Sequence, residues 1–236
     1  MNKWILVTGA SSGIGVEIAK YLDSKGYNLV LTARSKEKLH NVQCSFVNDS
    51  LILPIDLQNL QEIEALFKKI KEKAIKLGGM VHCAGIGSNL PVRSNSIEDM
   101  KSTMTTNYFS FVELGKYFSK KSYSVDESSI VAISSISPLT CYAGACNYAA
   151  SKSAINTAVK IMAKEFMKRK IRVNAILPAY VNTPLGPAED DELYVQQQPL
   201  GIIKAEYIAY LVEYLLSEKS KYMTGTLIPM SGGMTY

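Results

Sequence analysis

Trp4-Ile5-Leu6-Val7-Thr8-Gly9-Ala10-Ser11-Ser12-Gly13-Ile14-Gly15 is the stretch that decides the fold. Its first half is a short apolar run of the kind that forms a buried strand. Three glycines follow, and a helical pattern opens over about Gly13–Ser24. Glycine lets the turn tighten, lets backbone approach a pyrophosphate, and lets helix pack against strand. The helix N-terminus adds free N–H groups and a positive dipole end. A glycine-rich strand-to-helix turn without a ligand would have the same composition, but the strand-turn-helix context points to a nucleotide. Gly9, Ser11, Ser12, Gly13, Ile14 and Gly15 are the residues that would cradle it. The spacing is Gly-x-x-x-Gly-x-Gly with no Gly-Lys-Ser/Thr, so it is no ATPase phosphate loop.

Outward from this turn, strand-like runs alternate with longer helical patterns. Strands are expected at Asn28–Ala33, Ser50–Ile55, Met80–Ala84, Ser129–Ser134, Arg172–Leu177 and Thr226–Met230. Helices are expected through Ile63, Leu66, Phe67 and Ile70, and over about 97–119, 148–168 and 207–217. Such alternation implies an α/β fold: a doubly wound parallel sheet with helices on both faces and ligands at the carboxyl ends of the strands.

The composition fits that class. The 236 residues are 47% hydrophobic and 20% charged, without a linker, repeat or low-complexity stretch, so one domain over 1–236 is expected. No apolar run reaches bilayer length, and strand-like sequence begins at once, without a targeting pattern. The expectation is a cytoplasmic protein that binds no membrane. Cys44, Cys83, Cys141 and Cys146 lack metal-ligand spacing, so free thiols and no metal are expected. The net charge of +5 is too mild and scattered to argue for nucleic acid, and it suits an anionic cofactor or substrate.

Tyr148 and Lys152 lie four apart, on one face of the expected helix. Most such pairs are a solvated face. Held together, however, an ammonium stabilises phenolate and lowers the tyrosine pKa from about 10, which equips the pair for acid–base work. Thr8-Gly-x-x-x-Gly-x-Gly15 together with Tyr148-x-x-x-Lys152 resembles the short-chain dehydrogenase/reductase family in its single-domain form, over essentially the whole chain.

The resemblance implies a Rossmann-type sheet of seven parallel strands in the order 3-2-1-4-5-6-7, with NAD or NADP across their carboxyl ends. It places Ser135, thirteen residues before Tyr148, on the substrate oxygen. Tyr148 becomes the proton donor or acceptor for a carbonyl or secondary alcohol. Lys152 tunes Tyr148 and binds the nicotinamide ribose, and Asn107 holds a water linking Lys152 to solvent. Asp56 and Leu57 fall at the adenine, Cys83, Ala84 and Gly85 along the cofactor, and Pro178, Val181 and Thr183 at the nicotinamide amide and phosphates.

The second strand ends Leu31-Thr32-Ala33-Arg34-Ser35, without the carboxylate that would favour NAD. Arg34, with Ser35, suits a 2′-phosphate and points to NADP over NAD. Ser12, where many NADP-using relatives carry Arg or Lys, weighs the other way. Asp56 also reads as a cap of the next helix.

Three departures from the family pattern stand out. His82-Cys83-Ala84-Gly85 replaces Asn-Asn-Ala-Gly, leaving the His82 ring nitrogens to support the central sheet. Pro178-Ala179 replaces Pro-Gly, and an alanine there is costly if positive φ is required. Ser231-Gly232-Gly233 replaces Asp-Gly-Gly.

Within the family the chain looks most like bacterial 3-oxoacyl-acyl-carrier-protein reductases. Sugar, steroid and small-alcohol reductases share the motifs; a non-catalytic dinucleotide-binding sensor on the same fold is the rival of another class, but such proteins usually lose Tyr or Lys, and this chain keeps both. A substrate loop is expected over about 184–201, with Glu189-Asp190-Asp191-Glu192 opening a short helix. A homotetramer or homodimer through the helices near 97–119 and 148–168 and the C-terminal strand is implied. Lys168-Arg169-Lys170 would face an acidic carrier protein, and Asp126-Glu127 oppose that.

Overall fold

The computed structural model describes residues 3–87, 89–183 and 196–234. Its strands are β1 (Trp4–Thr8), β2 (Asn28–Thr32), β3 (Ser50–Ile52), β4 (Leu77–His82), β5 (Ser124–Ile133), β6 (Arg172–Pro178), β7 (Val181–Asn182), β8 (Ile203–Lys204) and β9 (Leu227–Met230). Seven of them form one parallel sheet in the order β3-β2-β1-β4-β5-β6-β9. This is the expected order, with β9 as the seventh strand. β7 and β8 pair separately as a two-residue parallel ladder that the sequence reading did not anticipate.

Side chains alternate across the sheet. Leu6, Val30, Met80, Ile130 and Val173 enter one apolar layer. Helices α3 (Gln61–Glu72), α5 (Ser110–Phe118) and α7 (Cys146–Glu165) cover that layer with Phe67, Phe111 and Ile155. Ile5, Val7, Leu29, Val81 and Val131 enter the opposite layer. There α1 (Gly13–Ser24) contributes Ile18 and Leu22, and α8 (Ala205–Leu216) contributes Ile208 and Val212. Burial on both faces is why these strands read as unbroken apolar runs.

Several boundaries differ from expectation. β3 stops at Ile52, because Pro54 lacks an N–H and restricts Leu53. β4 begins at Leu77, where Gly78 and Gly79 disguise its start. α2 (Lys36–Gln43) was not anticipated: only Leu39 in it is buried, so its apolar periodicity is weak. The long helix near 97–119 is two helices, α4 (Ile97–Met104) and α5, joined by a π-turn over Thr105–Phe109. Such turns occur frequently at functional sites, and Asn107 sits in this one. The short helix α6 (Ser137–Thr140) follows β5.

Candidate active site

The expected residues converge at the carboxyl ends of the strands. The glycine turn follows β1, Arg34 follows β2, Cys83–Gly87 follows β4, Ser135 follows β5, and Pro178–Thr183 closes β6. A cleft of about 530 Å³ runs across these ends, lined among others by Gly9, Gly13, Ile14, Ser135, Tyr148 and Lys152. Cys83, Ala84, Gly85, Pro178, Val181 and Thr183 also line it. A second hollow of about 390 Å³ shares Gly9, Ser12, Ala84 and Gly85 with the cleft and extends to Ser11, Arg34, Ser35, Asp56 and Leu57.

The turn after β1 is built for close approach. Gly9 has φ +68, and a Cβ there would lie 2.8 Å from the Ala84 nitrogen. A Cβ on Gly15 would run into the Gly9 carbonyl. Any side chain at either position would fill the cradle or force it open. Thr8 Oγ1 accepts the N–H groups of Cys83 and Ala84, each at 3.2 Å, and so ties the strap after β4 to β1. Among the described residues, the buried hydroxyls of Thr32 and Thr106 lack a hydrogen-bond partner, and both residues line the second hollow. A nucleotide fits this surface: glycine backbone for phosphates at one end, orphaned hydroxyls and Arg34 at the other.

Around the cleft's deep end, Ser135 Oγ accepts the Ser137 N–H at 3.0 Å. Its hydrogen bond with Tyr148 favours the phenolate, but burial outweighs it and pushes the phenol above its usual range. Tyr148 as a whole is half-buried and lines the open cleft. Lys152 is 3% exposed, and burial lowers it from 10.5 to about 8. Its ammonium lies 5.5 Å from the Tyr148 ring centroid and donates to the Ile133 carbonyl at 2.9 Å.

Lys152, bonded to the Ile133 carbonyl and 5.5 Å from the ring centroid, does not offset the burial of the Tyr148 phenol. Desolvation of the phenol therefore prevails.

Asn107 is fully buried, and its amide is fully engaged. Oδ1 accepts the Ile86 N–H at 2.8 Å, while Nδ2 donates to the Ile86 carbonyl at 2.8 Å and to Ser151 Oγ at 2.9 Å. Ser35 caps α2 by accepting the Lys38 N–H at 3.2 Å. Asp56 Oδ1 accepts the Gln58 N–H at 3.0 Å in a local turn, and it does not cap the next helix, whose N-cap is Leu60 without a side-chain bond.

Ala179 is absent from the positive-φ residues, so the missing glycine leaves no backbone strain there. Gln198, beyond the expected site, is fully buried. It accepts the Tyr180 N–H and donates to the Tyr180 and Gly201 carbonyls, which fixes the far end of the expected 184–201 loop. The acidic run 189–192 lies outside the described residues.

The sequence reading passed over several lining residues. Gly87 and Asn89 line the cleft. Lys38 lines the second hollow beside Arg34, and only the unrecognised helix α2 could have signalled it. All four cysteines are free thiols. Burial pushes Cys83 up to about 12, so it is a poor nucleophile. Among the described residues, no group of three or more His, Cys, Asp or Glu could hold a metal, and no helix is long and apolar enough to cross a membrane. Arg169 and Lys170 pair with Asp126 and Glu127.

Comparison with known proteins agrees with this geometry. The family described as Enoyl-(Acyl carrier protein) reductase matches residues 9–235. A 3-oxoacyl-[acyl-carrier-protein] reductase of Bos taurus is 31% identical over 236 residues, covering 99% of this chain and 98% of that protein. A Vibrio cholerae 3-oxoacyl-[acyl-carrier-protein] reductase is 30% identical over 238 residues, covering 99% and 97%. A solved short-chain dehydrogenase/reductase from Serratia marcescens superposes with a TM-score of 0.92 at 26% identity, covering 99% of this chain and 98% of that one. The chain belongs to the short-chain dehydrogenase/reductase family, nicotinamide-dependent oxidoreductases acting on CH–OH and C=O groups.

Proposed function

We propose that this protein is an NADP(H)-dependent reductase of 3-oxoacyl thioesters, working through Ser135, Tyr148, Lys152 and Asn107. The observation that carries the reading is the meeting of Tyr148, Ser135 and Lys152 in one cleft with the glycine cradle. When bound, the nicotinamide supplies or accepts the hydride.

The chain's own groups do the rest. Ser135 holds the substrate oxygen beside the Tyr148 hydroxyl. Tyr148 is protonated at neutral pH and gives its proton to that oxygen in reduction, or takes one back in oxidation. Lys152, poised at about 8, contributes positive charge that stabilises the phenolate left behind and replenishes its proton. Asn107 holds the strap at Ile86 and the helix turn at Ser151.

Arg34 and Lys38, with no carboxylate at Thr32 or Ala33, support NADP over NAD. The 3-oxoacyl substrate rests on the similarity to reductases of that name. Residues 1–236 act as one domain in this reading. Exposed Phe109 and Ile161, in the π-turn and on α7, suit a homotetramer or homodimer. Four free thiols suit the cytoplasm.

The test is absorbance at the nicotinamide band with NADPH and a panel of 3-oxoacyl thioesters, free and carrier-bound, alongside simple ketones. Turnover of the thioesters that is lost in Tyr148→Phe, with NADPH affinity retained, is expected. Tight NADPH binding without turnover of any carbonyl would point to a dinucleotide sensor instead and overturn the enzymatic assignment.

A further inference from the structure

We infer that His82 is a positioning residue: a neutral imidazole, protonated on Nε2, that links Thr8 to the main-chain carbonyl of Asn107 and so holds Asn107 and the Cys83–Gly87 strap in place against Lys152. His82 ends β4 and is fully buried. Its Nδ1 lies 3.1 Å from Thr8 Oγ1, and its Nε2 lies 3.2 Å from the Asn107 carbonyl oxygen.

The neighbours determine the tautomer. Thr8 Oγ1 already accepts from Cys83 N–H and Ala84 N–H, which occupy its two lone pairs. Its one proton is left for Nδ1, so Nδ1 accepts and the ring proton sits on Nε2, where it donates to Asn107. Burial, reinforced by the Lys152 charge, lowers His82 to about 3 and keeps it neutral.

The link matters because of what Asn107 holds. Its amide takes both backbone polar groups of Ile86 and the hydroxyl of Ser151, the residue before Lys152. A Cβ on Gly85 would lie 3.3 Å from both Asn107 Oδ1 and Lys152 Nζ, so the amide and the ammonium both lie close against the strap. The carbonyl that His82 steadies lies in the π-turn, a helix segment whose bonding is irregular. A hydrogen-bonded path thus runs from β1 through the ring to the π-turn, and from there to the strap and the Lys152 helix. The consequence for turnover rests on the proposed role of Lys152; the hydrogen-bond path itself does not.

Two readouts need no turnover. The first is the imidazole proton in a 1H–15N spectrum, which should be slowly exchanging and attached to Nε2. His40, the only other histidine, is exposed and should exchange too fast to interfere. The second is amide exchange at Ile86, read against Val81 inside β4.

In His82→Leu, Ile86 exchange should accelerate about five- to tenfold relative to Val81, the worth of one hydrogen bond. His82→Gln, whose amide reaches Asn107, should restore it to within about threefold. His82→Asn reaches Thr8 only and should not. With an acetoacetyl thioester and NADPH, kcat should fall about tenfold or more in His82→Leu and recover in His82→Gln.

A proton on Nδ1, unchanged Ile86 exchange in His82→Leu, or rescue by Asn equal to that by Gln would overturn the inference. If His82→Leu does not fold, the Gln and Asn variants decide it. Wild-type protein without turnover would count against the oxidoreductase reading and leave the spectral and exchange tests standing.

Discussion

Replacing Lys152 with Met tests the electrostatics of the site without needing a substrate. Met keeps the unbranched length and removes the charge. In the fold, burial lowers Lys152 from 10.5 to about 8. Below pH 8 the ammonium is charged in both the folded and unfolded chain, and holding it inside the protein opposes folding. Between pH 8 and 10.5 the folded chain releases this proton while the unfolded chain keeps it, so stability rises with pH. Above 10.5 both are neutral and the gain is complete.

At about 1.4 kcal/mol per tenfold change in proton affinity, the whole effect is about 3 kcal/mol, of which about 2 kcal/mol is recovered between pH 7 and 10. The lost hydrogen bond to Ile133 shifts the variant at every pH and leaves this slope alone. Urea denaturation of both proteins at pH 7 and pH 10, without cofactor, measures the difference. The wild type should gain about 2 kcal/mol on the variant over that range, because other titrating groups cancel. Parallel stability curves would refute the buried, charged lysine.

The double change Arg34→Ala with Lys38→Ala should weaken NADPH binding about tenfold to a hundredfold, the worth of lost charge-assisted hydrogen bonds, and leave NADH binding unmoved. Fluorescence titration with each cofactor reads it, and equal losses for both would reject the 2′-phosphate assignment. Gly87→Ala places a Cβ 2.7 Å from Tyr148 Cδ2, so the ring must shift and kcat should drop about tenfold or more. Unaltered kcat would mean that the strap yields instead of the ring. Gln198→Ala removes the partners of three backbone groups at Tyr180 and Gly201 and should cost about 2–3 kcal/mol in urea unfolding; a change below about 0.5 kcal/mol, the range of a neutral surface substitution, would show that water replaces it.

Much of the fold and site was legible because their signals are local or periodic. β1, α1 and the glycine turn are contiguous; Gly9 and Gly15 answer to close backbone contacts that a side chain would not permit, and Gly13 to a positive φ. Tyr148, Lys152 and Ser135 followed from family spacing, and the structure brings them to one cleft. The π-turn at 105–109 was hidden because a helix that bulges keeps nearly the same apolar periodicity. α2 was hidden because it buries one residue, and Lys38 went unnoticed with it. The acidic run at 126–127 and the basic run at 168–170 are 43 residues apart in Arg169–Asp126 and Lys170–Glu127, and only folding pairs them.

By itself the sequence determined the strand-turn-helix start, the alternation that builds a parallel sheet, and the identity of the groups able to move a proton. These depend on residue type and on spacings of a few positions. Tertiary structure decided the electrostatic state of those groups. Burial raises the Tyr148 pKa and lowers that of Lys152, and it fixes a neutral His82 between Thr8 and Asn107. Desolvation and hydrogen-bond partnership depend on what the remote chain places around a side chain, and no local spacing encodes that.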